Sequence, residues 1–223
     1  MAYLRKVLAV LWKDIRAELR TKDIFSSMLI FALLAVIIFQ FAFDLRADNV
    51  RLVLPGVLWI AITFAGVLGL SRSFIVEQDR GSLEGLLLAP VDRSAIYFGK
   101  LLGNLIFIFV VELVLLPVAS AFFNIWLISL PLLLVLFLGT LGFAAVGTLF
   151  SALSVNTRAR EVMLPILLFP VMVPVLIAGV RATGSLLDGE TLSDVSAWIK
   201  VLVAYDAIFV AAAFLLFDYV VEE

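Results

Sequence analysis

The sequence has 223 residues, of which 64% are hydrophobic and only 15% are charged, and its mean hydropathy is +1.19. Because soluble domains are about one half apolar and one quarter charged, this composition excludes a large water-soluble catalytic domain and predicts a chain that lies in a bilayer. The formal net charge of −2 gives no reason to expect a nucleic-acid partner. The absence of Cys and His excludes disulfides, thiol nucleophiles and the commonest metal ligand.

The first 23 residues predict an amphipathic helix that lies at the membrane interface. They hold six of the sixteen Lys and Arg, and apolar residues recur among them at helical spacing from Leu4 to Leu19. A signal peptide would place its charges before an uninterrupted apolar core, but Lys13, Asp14 and Arg16 interrupt every possible core. The first apolar segment is therefore expected to be retained as a membrane span.

Six apolar segments long enough to cross a bilayer predict an all-α membrane protein with six transmembrane helices. They form one transmembrane domain, 1–223, in which the amino-terminal helix occupies 1–23 and the spans lie at about 24–43, 52–76, 96–121, 125–150, 162–180 and 201–221. Only three residues separate the third and fourth segments, and one helix over both would be far longer than a bilayer is thick. A tight turn is therefore predicted near Asn124.

The distribution of Lys and Arg predicts the orientation of these spans. From the amino terminus onward, the connections carry 6, 2, 4, 0, 2, 2 and 0 of them, so alternate connections sum to 12 against 4. The positive-inside rule then places both termini in the cytoplasm, and a count of five spans would spoil this asymmetry. The longest polar connection on the outer side, 181–200, is expected to be a short exposed loop.

The most informative polar segment connects the second and third spans on the cytoplasmic side. Gly81 can end the preceding helix, Ser82 is suited to cap a short helix over 83–88, and Pro90 ends that helix. Leu83, Leu86 and Leu87 fall on one face of it. Such a helix suits a groove on a cytoplasmic partner, and the alternative is an ordinary interfacial turn whose leucines dip into lipid.

This segment, EQDRGSLEGLLLAP at 77–90 followed by Tyr97, Gly99 and Lys100, resembles the coupling segment of ABC-2-type permeases. Within that superfamily, the chain length, the LPGVLWIA run at 54–61 and the Ser71 and Arg72 pair are similar to the CcmB family. That family supplies the membrane subunit of the cytochrome c maturation ABC complex. The likeness covers nearly the whole chain and is densest over 54–100.

The resemblance implies a bacterial inner-membrane protein that pairs with a separate CcmA-like ATPase. It also implies CcmC-like and CcmD-like membrane subunits, a CcmE-like haem chaperone, and a second copy of this chain or a related subunit. The residues that would face the ATPase are Glu77, Asp79, Gly81, Ser82, Leu83, Glu84, Leu86 and Leu87. ATP is expected on the partner because the chain has no Walker-type phosphate loop, and haem is expected on the partners because the chain offers no His as an axial ligand.

Several polar residues interrupt the spans. Lys100, Asn104 and Glu112 share broadly one face of the third span, where Lys100 is expected to snorkel to the cytoplasmic surface. Glu112 lies near mid-membrane, either as a polar lining or pair partner within the complex or as a protonated packing residue. Asp206 and Asp218 are expected to be solvated near opposite ends of the sixth span.

Small residues and prolines mark two further spans. Ala61, Ala65, Gly69 and Ser73 form a stripe at four-residue spacing in the second span, and Gly139, Gly142 and Gly147 form a less regular one in the fourth. Either stripe predicts close helix packing, within the chain or between two copies. Three prolines in the fifth span predict a flexible gate or a static kink against the second span. These are Pro165, Pro170 and Pro174.

The favoured function is a non-catalytic subunit that couples ATP hydrolysis by a partner to haem delivery or to release of the haem-loaded chaperone. The first alternative is an ABC-2-type exporter of a lipid, drug or glycan. The second is a membrane scaffold that transports nothing. An intramembrane enzyme is disfavoured because no catalytic, cofactor-binding or metal-binding set of residues is present in the sequence.

Overall fold

The structure is a computed structural model that describes residues 2–42, 47–79, 91–155 and 160–220, together with Gly85 and Thr157. Within these ranges there are seven helices and no strand. Six of the helices are long and apolar enough to cross a membrane, so the prediction of an all-α protein with six spans is confirmed. The helices are α1 Ala2–Thr21, α2 Asp23–Ala42, α3 Ala47–Asp79, α4 Arg93–Phe123, α5 Leu130–Ser154, α6 Arg160–Leu187 and α7 Ser196–Val220.

The turn between the third and fourth spans lies where the sequence places it. α4 ends at Phe123, and Asn124 adopts a left-handed conformation with φ 51°, from which its backbone N–H donates to the Ser120 carbonyl. The next helix begins at Leu130 rather than at 125, because the intervening residues are not helical and Ser129 caps the start of α5. Pro131 in the first turn suits this start, since its missing N–H is not needed there.

α3 and α5 form the centre of the bundle. Of their spans, 67% and 72% are buried inside the protein, against 17% for α2. Trp59 of α3 lies between Gly139 of α5 and Gly179 of α6, and its indole N–H donates to the Thr183 hydroxyl at 3.0 Å. The large aromatic ring thus fills the space that the two glycines leave open, which fixes three helices against one another.

The fifth span is one continuous helix in spite of its three prolines, and it packs against α3, α5 and α7. α3 is the second span, so this helix has the packing partner that the static-kink interpretation predicts. The sixth span begins at Ser196 rather than at 201, so the last residues of the predicted outer connection, 196–200, belong to α7.

The amino-terminal helix packs against α4 and only weakly against α2. Lys22 separates the two helices with a left-handed φ of 59°, and Glu18 Oε1 accepts the Phe25 N–H at 2.8 Å across this corner. As a result α1 packs against α4, where Val7 and Val10 are buried. Large apolar side chains on another side of α1 are exposed, namely Leu4, Leu8, Trp12 and Leu19.

Candidate functional site: a charged junction of three helices

Lys100 joins the beginning of α4 to the end of α3. Its ammonium group lies 2.9 Å from Glu77 Oε1 and donates to the Ser73 carbonyl oxygen at 3.0 Å. The Phe74 ring centroid is 5.1 Å away. The Lys100 side chain is only 3% exposed, so the expectation that it snorkels to the surface is wrong. The carboxylate of Glu77 lies at hydrogen-bonding distance, and its attraction offsets the desolvation cost of burying the ammonium group.

α1 contributes the other half of this cluster. Asp14 Oδ2 lies 3.1 Å from the Lys100 ammonium group, and Asp14 Oδ1 lies 3.2 Å from that of Lys13. Lys13 also donates to Glu77 Oε1. We call Lys13, Asp14, Glu77 and Lys100 the charged junction. Its two cations and two carboxylates alternate, and they tie α1, α3 and α4 together at one point.

The neighbouring opposite charges shift the pKa of two members of the junction, Glu77 and Lys13. Burial alone would raise the pKa of Glu77, but the ammonium groups of Lys100 and Lys13 outweigh it and hold the pKa below its ordinary value. Burial would lower the pKa of Lys13, and Asp14 and Glu77 reverse that effect, so the pKa is raised. Both shifts favour the charged forms of Glu77 and Lys13.

A close helix approach places α1 over α4. A Cβ atom built on Gly99 would lie 2.6 Å from the Val10 Cβ and 3.0 Å from the Val7 carbonyl oxygen, so only glycine allows this contact. Two further contacts join the same elements at the surface. Tyr3 donates to the Ser94 hydroxyl at 3.1 Å, and Lys6 pairs with Asp92 at 3.0 Å.

Two of the residues predicted to face an ATPase belong to the part of the chain that the structure describes. Glu77 belongs to it, and α3 ends at Asp79. The remaining six lie outside the described residues. These are Gly81, Ser82, Leu83, Glu84, Leu86 and Leu87. Gly85 belongs to the same segment of the sequence and is described. It is exposed and borders a cavity that Glu77 and Lys100 also line.

The polar row of the third span continues from the junction into the bundle and faces α5. The Asn104 amide donates to the Thr148 hydroxyl at 2.9 Å, and the Thr140 hydroxyl donates to Glu112 Oε1. Glu112 is 1% exposed, and its contacts in the described part of the chain include no cation. This geometry favours the packing interpretation of Glu112, with its second carboxyl oxygen unpartnered among the described residues.

The small-residue stripes face other helices of the same chain. Ala61 and Ala65 are buried, Gly69 packs against Met28 of α2, and Ser73 supplies the carbonyl that Lys100 binds. In α5, Gly139 contacts Trp59, Gly147 contacts Leu70, and Gly142 contacts Asp206. These contacts favour close packing within one chain.

Asp206 is not solvated near a membrane surface, as the sequence suggested. It lies near the middle of the span Ser196–Phe217 and is only 6% exposed. Neither of its carboxyl oxygens has a hydrogen-bond partner among the described residues. The side chain of Asp218, the other acidic residue of this helix, lies outside the described residues.

The structure gives no indication of a metal centre in the described ranges, where no group of three or more Asp and Glu side chains is placed to hold an ion. The ion pairs of the junction connect α1, α3 and α4 directly. They hold α1 and the two helices on either side of the predicted coupling segment in one fixed arrangement.

Comparison with known proteins identifies relatives over nearly the whole chain. The family model described as CcmB protein matches residues 5–219. The heme exporter protein B of Pseudomonas aeruginosa is 26% identical over 196 residues, which are 87% of this chain and 88% of that protein. The heme exporter protein B of Rhodobacter capsulatus is 30% identical over 77% of this chain and 79% of its own length. That of Paracoccus denitrificans is 28% identical over 78% and 80%.

Proposed function

Because the chain belongs to the CcmB family, we propose that it is the transmembrane subunit of an ABC transporter complex of cytochrome c maturation. In this proposal a CcmA-like subunit hydrolyses ATP, and CcmC-like and CcmD-like subunits complete the membrane assembly. Hydrolysis drives haem delivery or release of the haem-loaded CcmE-like chaperone. The chain itself binds no cofactor and catalyses no reaction.

The observation that carries the coupling role is the position of the charged junction. The segment proposed to contact the ATPase begins at the end of α3 and leads into α4, and Lys100 ties these two ends to each other and to Asp14 of α1. A force that the ATPase exerts on this segment is therefore transmitted to α1, α3 and α4 together. Ion pairs suit this task because they are short and directional.

We place the protein in the bacterial inner membrane with both termini in the cytoplasm, on the grounds of its Lys and Arg distribution. The exposed apolar side chains of α1 support an interfacial position for that helix. Leu4, Leu8 and Trp12 lie on a side that does not pack against α4, and Arg16 and Arg20 are exposed beside them. An apolar stripe flanked by basic residues is typical of a helix in the headgroup region.

The proposal is tested by purification of the complex in a mild detergent. We expect an ATPase, CcmC-like and CcmE-like proteins to be recovered with the wild-type chain. Glu84→Lys and Leu86→Asp should abolish recovery of the ATPase, because they place a repulsive or polar group on the proposed contact. Glu190→Lys, a matched charge reversal in the connection before α7 where the side chain is exposed, should leave recovery unchanged.

The outcomes separate the alternatives. Recovery of an ATPase and this chain alone would support an ABC-2-type exporter of a lipid, drug or glycan. Full assembly with no change in chaperone release when ATP hydrolysis is blocked would support a scaffold. If Glu84→Lys and Leu86→Asp both left recovery of the ATPase and release of the chaperone unchanged, the proposed coupling contact would be refuted.

A further inference from the structure

A cavity of about 520 Å³ lies beside the charged junction, where α1, α2, α3 and α4 meet. Cavities of a few hundred cubic ångströms are the size that binds small molecules. The coupling role proposed above does not require this cavity, so its contents are a separate question.

The lining of the cavity changes from polar to apolar along its length. Glu18, Asp23 and Arg72 lie on the polar side. The apolar side is formed by Ile24, Met28, Leu70, Phe107 and Ile108. From Lys100 to Ile108 the α4 axis advances about 12 Å, at a rise of about 1.5 Å per residue. The cavity therefore matches an amphiphile that has a polar group at one end and methylene groups at the other.

The charges that line the cavity are not all paired. The four junction residues satisfy one another. Among the described residues, neither the Arg72 guanidinium nor the Asp23 carboxylate has an ion-pair or hydrogen-bond partner, although both residues are exposed and within reach of a ligand. Glu18 uses one carboxyl oxygen to accept the Phe25 N–H. One cation and two carboxylates thus remain to bind a ligand.

This arrangement suits a ligand that carries both signs of charge. Arg72 is matched by a phosphodiester, to which guanidinium donates well, and the carboxylates of Asp23 and Glu18 are matched by an ammonium group. A dianionic amphiphile is disfavoured, because the lining holds three cations, Lys13, Arg72 and Lys100, against the four carboxylates of Asp14, Glu18, Asp23 and Glu77.

Two of the helices that contribute the polar side of the cavity, α1 and α2, pack mainly against other helices rather than against each other. α1 packs against α4, while α2 packs against α3 and α4, and the left-handed Lys22 lets the two consecutive helices diverge. Side chains from both line the cavity. We propose that the cavity binds one phospholipid with an ethanolamine headgroup, with its phosphate on Arg72, its ammonium group against Asp23 and Glu18, and its first acyl carbons on Met28 and Ile108.

The test uses the intact complex, reconstituted in a bilayer of equal parts phosphatidylethanolamine, phosphatidylcholine and phosphatidylglycerol and then washed in detergent. Native mass spectrometry counts the lipids that remain on each chain. We expect one phosphatidylethanolamine per chain for the wild type and about tenfold lower retention for Arg72→Gln, the size expected for one lost charge-assisted contact. Arg181→Gln, an exposed arginine outside the cavity, is the matched control and should retain the lipid.

A second variant examines the ammonium contact. Asp23→Asn should reduce the preference for ethanolamine over choline while the phosphate contact persists. Equal retention by Arg72→Gln and wild type would overturn the proposal, and so would equal retention of all three headgroups or complete loss of lipid from the wild type. Each of these results leaves the proposed coupling to an ATPase intact.

Discussion

Replacement of Lys100 by methionine tests the charged junction most directly. Methionine keeps the length and apolar stem of the side chain but removes the ammonium group. The change breaks the contacts with Asp14 at 3.1 Å, Glu77 at 2.9 Å and the Ser73 carbonyl at 3.0 Å. Two largely buried carboxylates then share a single cation, Lys13.

Removal of one partner from a buried ion pair costs about 3 to 5 kcal/mol, mostly because the remaining charge is left uncompensated. Lys13 remains near both carboxylates and neutralises part of that charge. We therefore expect Lys100→Met to lower the free energy of unfolding by about 3 kcal/mol, at the low end of that range.

The free energy of unfolding is measured in mixed micelles by titration with a denaturing detergent, with helix content as the signal. Lys200→Met is the matched control, because Lys200 is exposed and has no partner among the described residues, and it should change stability little. Joint replacement of Lys100, Asp14 and Glu77 by apolar residues should recover most of the loss, since no unpaired charge is left. If Lys100→Met were as stable as Lys200→Met, the junction would not carry the energy assigned to it.

The contribution of Glu77 to stability depends on pH. The folded-state pKa of Glu77 lies below its ordinary value of 4.5, because Lys100 and Lys13 outweigh the opposing effect of burial. The ionised carboxylate therefore stabilises the fold above that ordinary value, and its contribution is lost as the pH falls through the lower folded-state pKa. Without Lys100 the folded-state pKa of Glu77 rises toward the ordinary value, so the loss of stability on acidification should be smaller in Lys100→Met than in the wild type, measured in the same unfolding assay.

Two further predictions concern helix contacts. Gly99→Ala should displace α1 from α4 and weaken a cysteine cross-link engineered between these helices, because the added Cβ would lie 2.6 Å from that of Val10. Gly56→Ala, where nothing lies within 4 Å, is its control and should leave the cross-link unchanged. Glu112→Gln should be about as stable as the wild type, because an amide oxygen still accepts from the hydroxyl on α5. Glu112→Ala should lose about 2 kcal/mol in the same unfolding assay, and equal losses in both variants would contradict the hydrogen bond.

The number of spans and the turn at Asn124 could be predicted because both follow from strong local rules. A span must satisfy every backbone polar group within its own helix, so it needs a long apolar run. Two such runs separated by three residues must reverse direction. The start of α5 was harder to place, since Ile125 to Ser129 are as apolar as the helix that follows, and only the cap at Ser129 marks its beginning.

The sequence showed one side of the charged junction only. Glu77 and Lys100 flank the predicted coupling segment, but the sequence around Lys13 and Asp14 does not identify their partners. Those partners depend on the packing of α1 against α4, which the close approach at Gly99 allows. One signal was present: Asp14 lies one turn of helix beyond Val10, on the side of α1 that is buried.

The depth of Asp206 differs from the prediction for another reason. The predicted span begins at 201, whereas α7 begins at Ser196, so Asp206 lies near the middle of the span. Hydropathy does not detect the first turn of a helix when that turn is polar, because such residues resemble those of the preceding loop. Gly142 leaves room for the carboxyl group in α5, a pairing of a small residue with a polar one that becomes visible only when both helices are in place.

The contacts divide the bundle into parts that differ in how they resist motion. Ion pairs bind α1, α3 and α4 to one another at the junction, and two side-chain hydrogen bonds, from Asn104 to Thr148 and from Thr140 to Glu112, bind α4 to α5. Directional contacts resist sliding, whereas apolar packing lets helices shift at lower cost. A displacement of the α3–α4 connection is therefore shared first by α1, α3 and α4, and then passed to α5 at two depths in the membrane.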